Sequence, residues 1–347
     1  MKPDLSSIWA QPEWQLFHVD VVQQTFKLAY VEEQVYRDAS FLDARALRPQ
    51  QQLVDCRLDH LSSSFPEADT LVDAGFIFHI GHCGSTLLSR VLSAHESVLP
   101  LREPLPTLAL SNLQRSLGAP TCWIDSVQMQ AMQAAVLNSL RRPFSKNSFA
   151  LVKLNSSCNN LILPILSARK EERALCIYLT LERYLSAMFL GGAQVYDVRS
   201  QAVDRVQDWM NIPGAEPLML SQLSVLQMAA ISWMSSMYYF LSGFESAQTR
   251  VRLLDFEKFL LDPEPTIGEL SEHFQIQDNR IDFVSAYGSL ARSYAKDPKR
   301  EFNGEVKQRQ LAQVKLNYAK EIASIIDWTQ KIIEENDHLH ALVKYLR

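Results

Sequence analysis

The sequence predicts an α/β fold: a parallel sheet flanked by helices, of the P-loop type, with a mostly helical addition at the amino terminus. Two observations predict it. Short apolar runs rich in β-branched and aromatic residues recur from Gly75 onward, and stretches with helical apolar spacing separate them. The first of these runs breaks at Gly81 and Gly84 and passes directly into helical spacing at Leu87, Leu88, Val91 and Leu92. Strand, glycine turn and helix start form one continuous unit there.

Residues 1 to about 70 read as a mixed, mostly helical extension, with the polar Pro49-Gln50-Gln51-Gln52 as a connection; residues 71–347 read as the α/β domain. Within it the strands are expected at Phe76–Ile80, Phe149–Leu154, Ala174–Leu179 and Arg250–Asp255, with a further short strand and loop over Ser97–Pro104. Helical patterns cover Thr86–Ala94, Ser126–Leu140, Asn160–Lys170, Tyr184–Leu190 and Leu218–Leu241. In such sheets ligands sit beyond the carboxyl ends of the strands. The residues that follow each strand are therefore the first candidates for a site.

Bulk composition narrows the function classes. The formal net charge of −5 lacks the basic excess of a nucleic-acid binder, so no nucleic-acid partner is expected. Five scattered cysteines form no Cys-x-x-Cys pair and suggest neither a disulfide framework nor a zinc site. The first residues lack the apolar core of a signal peptide, so a cytoplasmic location is expected. Pro217 to Phe244 carries no charge and is long enough to span a bilayer, but its serines and glutamines and its lack of a basic flank favour a buried helix.

A strand, a glycine turn and a helix start hold phosphate, because first-turn N–H groups and the helix dipole favour an anion. Glycine lets the backbone come close to it. The ATP-type loop needs Gly-Lys-Ser/Thr, and the chain has no Gly-Lys dipeptide. It has no Gly-x-Gly for a dinucleotide, no Gly-x-Ser-x-Gly elbow and no His-Glu-x-x-His helix.

The segment Gly81-His82-Cys83-Gly84-Ser85-Thr86 resembles the shortened P-loop of the sulfotransferase superfamily. The helix that follows it, and then Arg102-Glu103-Pro104, are similar to the bacterial and tyrosylprotein-type branches. Leu253 to Pro263 resembles that superfamily's strand followed by an acidic turn and Asp-Pro. The resemblance covers roughly residues 75–305. It implies a P-loop fold and transfer of a sulfonate from 3′-phosphoadenosine 5′-phosphosulfate (PAPS) to a hydroxyl or amine. The acceptor would be a small molecule or peptide, and no metal is expected.

The resemblance implies roles residue by residue. Gly81, His82, Cys83, Gly84, Ser85 and Thr86 hold the 5′-phosphosulfate. His82 stands where the superfamily has Lys or Arg, and with Lys153 it offsets charge on the transferring group. Glu103 is the general base. The 3′-phosphate is usually held by an Arg and a Ser eight residues apart; Ser186 fits the serine, Tyr178 stands at the arginine position, and Arg183 is the alternative cation. The basic run Arg292 to Arg300 matches a loop that folds over the nucleotide. Two other readings remain open: a kinase-like P-loop phosphotransferase, and a non-catalytic nucleotide- or anion-binding module.

Overall fold

The computed structural model describes residues 5–47, 50–60, 71–120, 122, 124–276, 283–290, 293–294, 297–301 and 304–347. The amino-terminal part departs from expectation. Between the short helices α1 (Leu5–Trp9) and α2 (Glu33–Asp38) run the strands β1 (Trp14–Asp20) and β2 (Thr25–Tyr30). Together with β3 (Leu53–Arg57) they form an antiparallel sheet in the order β1-β2-β3. Phe26 and Leu28 alternate into the core while Thr25 and Lys27 face outward, the period-2 pattern of a half-buried strand. In β1 the register slips between Leu16 and His18, and this irregularity breaks the alternation that would mark the strand in sequence.

The main sheet has five parallel strands in the order β5-β6-β4-β7-β8, with β4 (Asp73–His79), β5 (Val98–Arg102), β6 (Phe149–Lys153), β7 (Arg173–Tyr178) and β8 (Val251–Asp255). All five fall where the apolar runs place them. β5 and β6 are buried along their whole length, as parallel strands covered on both faces must be. Helices α3 (Ser85–Leu92), α4 (Leu105–Ser116), α5 (Ser126–Ser139), α6 (Ile162–Ala168) and α7 (Leu181–Met188) link the strands through β7. Between α7 and β8 come α8 (Gly192–Ser200), α9 (Ala202–Met210) and α10 (Val225–Ser246). After β8 follow α11 (Phe256–Leu261), α12 (Pro263–His273) and α13 (Phe283–Leu290), then the paired β9 (Ser293–Tyr294) and β10 (Asp297–Glu301). Helices α14 (Gly304–Asn317) and α15 (Ala319–Glu334) and a 3-10 segment, Asp337–Tyr345, complete the chain.

The long uncharged stretch is a core helix. It begins at Val225 rather than Leu218, because Ser224 and Gln227 form a reciprocal capping box there. Trp233, Met237 and Phe240 are fully buried in it. Among the described residues no helix is long and apolar enough to cross a membrane.

Arg102, at the end of β5, ties α2 of the amino-terminal part to the main sheet. Its Nη1 donates to the carbonyls of Tyr36, Arg37 and Ala39 at 2.9–3.3 Å, and Nε and Nη2 donate to the hydroxyls of Ser89 and Ser93. Burial pushes this guanidinium down to about 9. The carbonyl dipoles carry the charge that a carboxylate would otherwise balance.

Candidate functional site

The loop after β4 adopts a backbone that only certain residues tolerate. Gly81 has φ +85° and Gly84 has φ +74°, both left-handed. A Cβ on Gly84 would lie 1.9 Å from the ring of Phe256, so the first residue of α11 packs directly on the bare glycine. Gly84 caps α3, and the N–H groups of Leu87 and Leu88 reach back to its carbonyl at 3.0 and 3.3 Å. The N–H groups before them have no helical carbonyl to reach, which leaves donors at the end of the sheet.

Four described non-glycine residues have positive φ, and two are His82 (+53°) and Glu103 (+55°). Such a conformation costs free energy at an ordinary residue and concentrates at functional sites. His79 braces the loop from below. Its Nδ1 accepts the Gly81 N–H at 3.0 Å, and its Nε2 lies 3.0 Å from the Leu154 carbonyl. An amide only donates and a carbonyl only accepts, so the ring is the neutral Nε2–H tautomer. Asn159 in turn donates to the His79 carbonyl at 3.1 Å.

Glu103 and Lys153 meet at the neighbouring strand ends. Lys153 Nζ lies 2.5 Å from Glu103 Oε1, and Asn155 Nδ2 donates to Oε2 at 2.8 Å. The Glu103 N–H also donates to the Lys153 carbonyl at 2.6 Å, so backbone and side chain fix the carboxylate together. Lys153 is fully buried and the Glu103 side chain is 14% exposed, so the carboxylate faces the rim and the ammonium faces the protein. Arg102, the neighbouring cation, points away from this carboxylate into the amino-terminal addition.

The other expected phosphate holders are not assembled in the same way. Ser186 is fully buried, and its hydroxyl donates to the Glu182 carbonyl at 2.7 Å. Tyr178 is covered by Tyr345 in an edge-on ring contact 5.1 Å between centroids. The Glu182 N–H, in the first turn of α7, already donates to the Leu346 carbonyl at 3.0 Å. Arg183 pairs through Nε with Glu257 Oε1 at 2.5 Å, which joins α7 to α11 beside the Gly84 contact. Asp255 accepts from the amides of Glu257 and Lys258 and so caps α11. In the basic run, Arg292, Ala295 and Lys296 lie outside the described residues.

Cys83 is buried within the loop, and desolvation pushes its thiol up to about 11. It is a small packing residue there, not a nucleophile. Among the described residues no group of three His, Cys, Asp or Glu side chains is placed to hold a metal.

No protein-family model and no curated protein matches the chain. Among solved structures it is similar to the sulfotransferase domain from the curacin biosynthetic pathway, at 11% identity over 72% of this chain and 98% of that one, TM-score 0.43. It is similar at 11% identity to a sulfotransferase from Alicyclobacillus acidocaldarius, over 78% of this chain and 96% of that one, TM-score 0.37. Sulfotransferase STF1 from Mycobacterium tuberculosis H37Rv is also 11% identical, over 73% of this chain and 81% of that one, TM-score 0.43. All three are sulfotransferases. The functional reading below rests on this chain's own residues.

Of the expected residues, Glu103 and Lys153 pair at strand ends of the sheet that carries the loop Gly81–Thr86, while Ser186 is buried on α7 and bonds its own helix. Sequence reasoning missed two residues from the α8–α9 segment. Asp197 Oδ2 lies 3.0 Å from His82 Nε2, and Gln201 Oε1 accepts from the Ser156 hydroxyl at 3.3 Å. No spacing in the sequence announces either contact, since each bridges a helix turn to a loop far away in the chain. His79 lies inside the expected strand Phe76–Ile80 and Asn155 directly after Phe149–Leu154, but their bracing bonds appear only in three dimensions.

Proposed function

We propose that this protein is a sulfotransferase-like enzyme that moves a sulfonate from PAPS to a hydroxyl or amine acceptor. One observation carries the reading: a left-handed glycine loop capping α3 stands beside an ion-paired carboxylate at the carboxyl ends of adjacent parallel strands. The loop suits the 5′ end of the donor. Gly81 leaves the backbone open, and the buried Ser85 and Thr86 open the helix with hydroxyls in the first turn. Among the described residues, Tyr178 and Ser186 are covered, so neither is placed to hold the 3′ end. PAPS supplies an activated sulfonate on a phosphate leaving group. The chain's contribution is positioning and electrostatics.

In this reading Glu103 accepts the acceptor's proton as its oxygen or nitrogen attacks sulfur. Lys153 and Asn155 hold the carboxylate in one orientation, and His82 offsets charge at the loop. A second reading, an anion-binding module without turnover, is favoured by one observation: both Glu103 oxygens are already engaged by protein groups.

Incubation with PAPS and a panel of phenols, alcohols and amines separates the two, with release of 3′-phosphoadenosine 5′-phosphate (PAP) followed. The enzyme reading expects release that rises with one acceptor class and falls in Glu103→Gln. Tight PAP binding with no release on any acceptor selects the module.

A further inference from the structure

We infer that Ser156 and Gln201 form a neutral donor wall for the oxyanion at the glycine loop, and that the buried Arg205 is the positioning residue that orients the Gln201 amide. The inference rests on the proposed anion at that loop. Gln201 stands at the junction of α8 and α9, and its Oε1 accepts from the Ser156 hydroxyl at 3.3 Å. Apart from the chain neighbours of Gly81, Ser156 is the only described residue that a Cβ on Gly81 would meet within 4 Å, with its Oγ at 3.7 Å. The hydroxyl therefore lies beside open backbone at the start of the loop.

Arg205 lies on α9 and is buried. Its Nη2 donates to the same Gln201 oxygen at 3.1 Å, while Nε and Nη1 have no hydrogen-bond partner among the described residues. Asp208 Oδ2 is 3.8 Å from Nη1, but that carboxylate is already held by Arg115, through Nε at 2.8 Å and Nη2 at 3.1 Å. The hydrogen bonding of Arg205 is thus spent on Gln201. A guanidinium only donates, so the Gln201 atom facing it is the carbonyl oxygen. Turning the amide over would set NH2 against a buried cation and orphan a third guanidinium nitrogen. The amide is held one way, and its NH2 is left to donate elsewhere.

The Ser156 hydroxyl has one hydrogen, and Gln201 accepts it. An oxyanion against Gly81 is the stronger acceptor, because hydrogen bonds to ionised groups are about twice as strong as neutral ones. Ser156 turns to the anion at little cost, since Arg205 keeps Gln201 Oε1 satisfied. The Gln201 NH2 then donates to the same ligand. Arg205 acts through the amide and does not touch the ligand itself.

The test is calorimetry of PAP, and separately of inorganic phosphate, on the full chain, with each variant's melting temperature followed alongside. Gln201→Glu keeps an oxygen for Arg205 and Ser156 but replaces the NH2 with a second oxygen. It is expected to weaken PAP at least about tenfold without lowering the melting temperature. Ser156→Ala removes one donor and should weaken PAP about tenfold. Arg205→Met should weaken PAP by about the same factor, and Arg205→Lys, which keeps the one donor Gln201 uses, should recover it. A folded Arg205→Lys chain as weak as Arg205→Met overturns the positioning role. PAP affinity within about twofold of wild type in both Gln201→Glu and Ser156→Ala overturns the inference and leaves the PAPS reading standing. Phosphate bound by the wild-type chain without PAP, and weakened by those two variants, overturns the PAPS reading and supports this one. Binding of neither ligand to the wild-type chain overturns both.

Discussion

The parallel sheet carries a buried ion pair at each end, and the two are built differently. At the carboxyl end Lys153 and Glu103 sit 2.5 Å apart, and Asn155 occupies the second carboxylate oxygen. At the amino end Arg141 Nη1 and Glu172 Oε1 are 3.3 Å apart, and neither Glu172 oxygen nor that nitrogen has a hydrogen bond. Arg141 also sits 3.5 Å from Asp73, at the start of β4. Lys153, Arg141 and Glu172 are shielded from water and Glu103 reaches the rim, but the larger contrast lies in satisfaction. A buried pair repays its desolvation only with good geometry and a full set of hydrogen bonds. The carboxyl-end pair meets that condition beside the glycine loop. The amino-end pair does not, and burial pushes the Glu172 carboxyl up to about 7.

Breaking the carboxyl-end pair should have the largest effect. Glu103→Gln removes the proton acceptor and leaves the buried Lys153 ammonium without its counter-charge, so turnover should fall by about 10²- to 10⁴-fold and the melting temperature should drop as well. Turnover within twofold of wild type removes Glu103 as the base. Gly84→Ala comes next, since its Cβ meets Phe256 and its φ is left-handed. A loss of about 1–3 kcal/mol in urea unfolding is expected, with PAP binding weakened. The double variant with Phe256→Ala should recover part of the stability if the ring contact is the cause.

The amino-end pair predicts a pH dependence. The Glu172 value of about 7 in the folded chain lies above the 4.5 of a free glutamate. Between those values the folded chain keeps a proton that the unfolded chain has released, so stability falls as pH rises through that window. The contribution is about 2–3 kcal/mol at most. Glu172→Gln removes the titration and should gain about 1–2 kcal/mol at pH 8 relative to wild type, with little change at pH 4.5. Urea unfolding at both pH values checks it, and an unchanged pH slope would show that Glu172 is not the cause. The smallest effect is expected at Ser186→Ala. Its hydroxyl bonds its own helix, so PAP affinity should stay within about twofold; a larger loss would place the 3′-phosphate at α7 after all.

The five strands of the main sheet were legible because each is a local apolar run, and buried parallel strands need nothing else. The glycine loop was legible because strand, turn and helix start are contiguous. The amino-terminal sheet was not, since a register slip at Leu16 breaks its alternation and the glutamine-rich polar segments between strands resemble helix surface. The Asp197–His82 contact was also hidden, because a half-exposed aspartate on a short helix has no local signature. Ser186 is a different case: its spacing from Tyr178 is readable in sequence, but spacing does not report which face of α7 is buried.

The central claim is that the glycine loop after β4 holds a phosphosulfate nucleotide rather than ATP. A calorimetric titration of the wild-type protein with PAP, with ATP and AMP in parallel, tests it most directly. The account predicts micromolar binding of PAP, with ATP and AMP at least about tenfold weaker. ATP binding as tight as PAP, or no binding of any of the three, would contradict it.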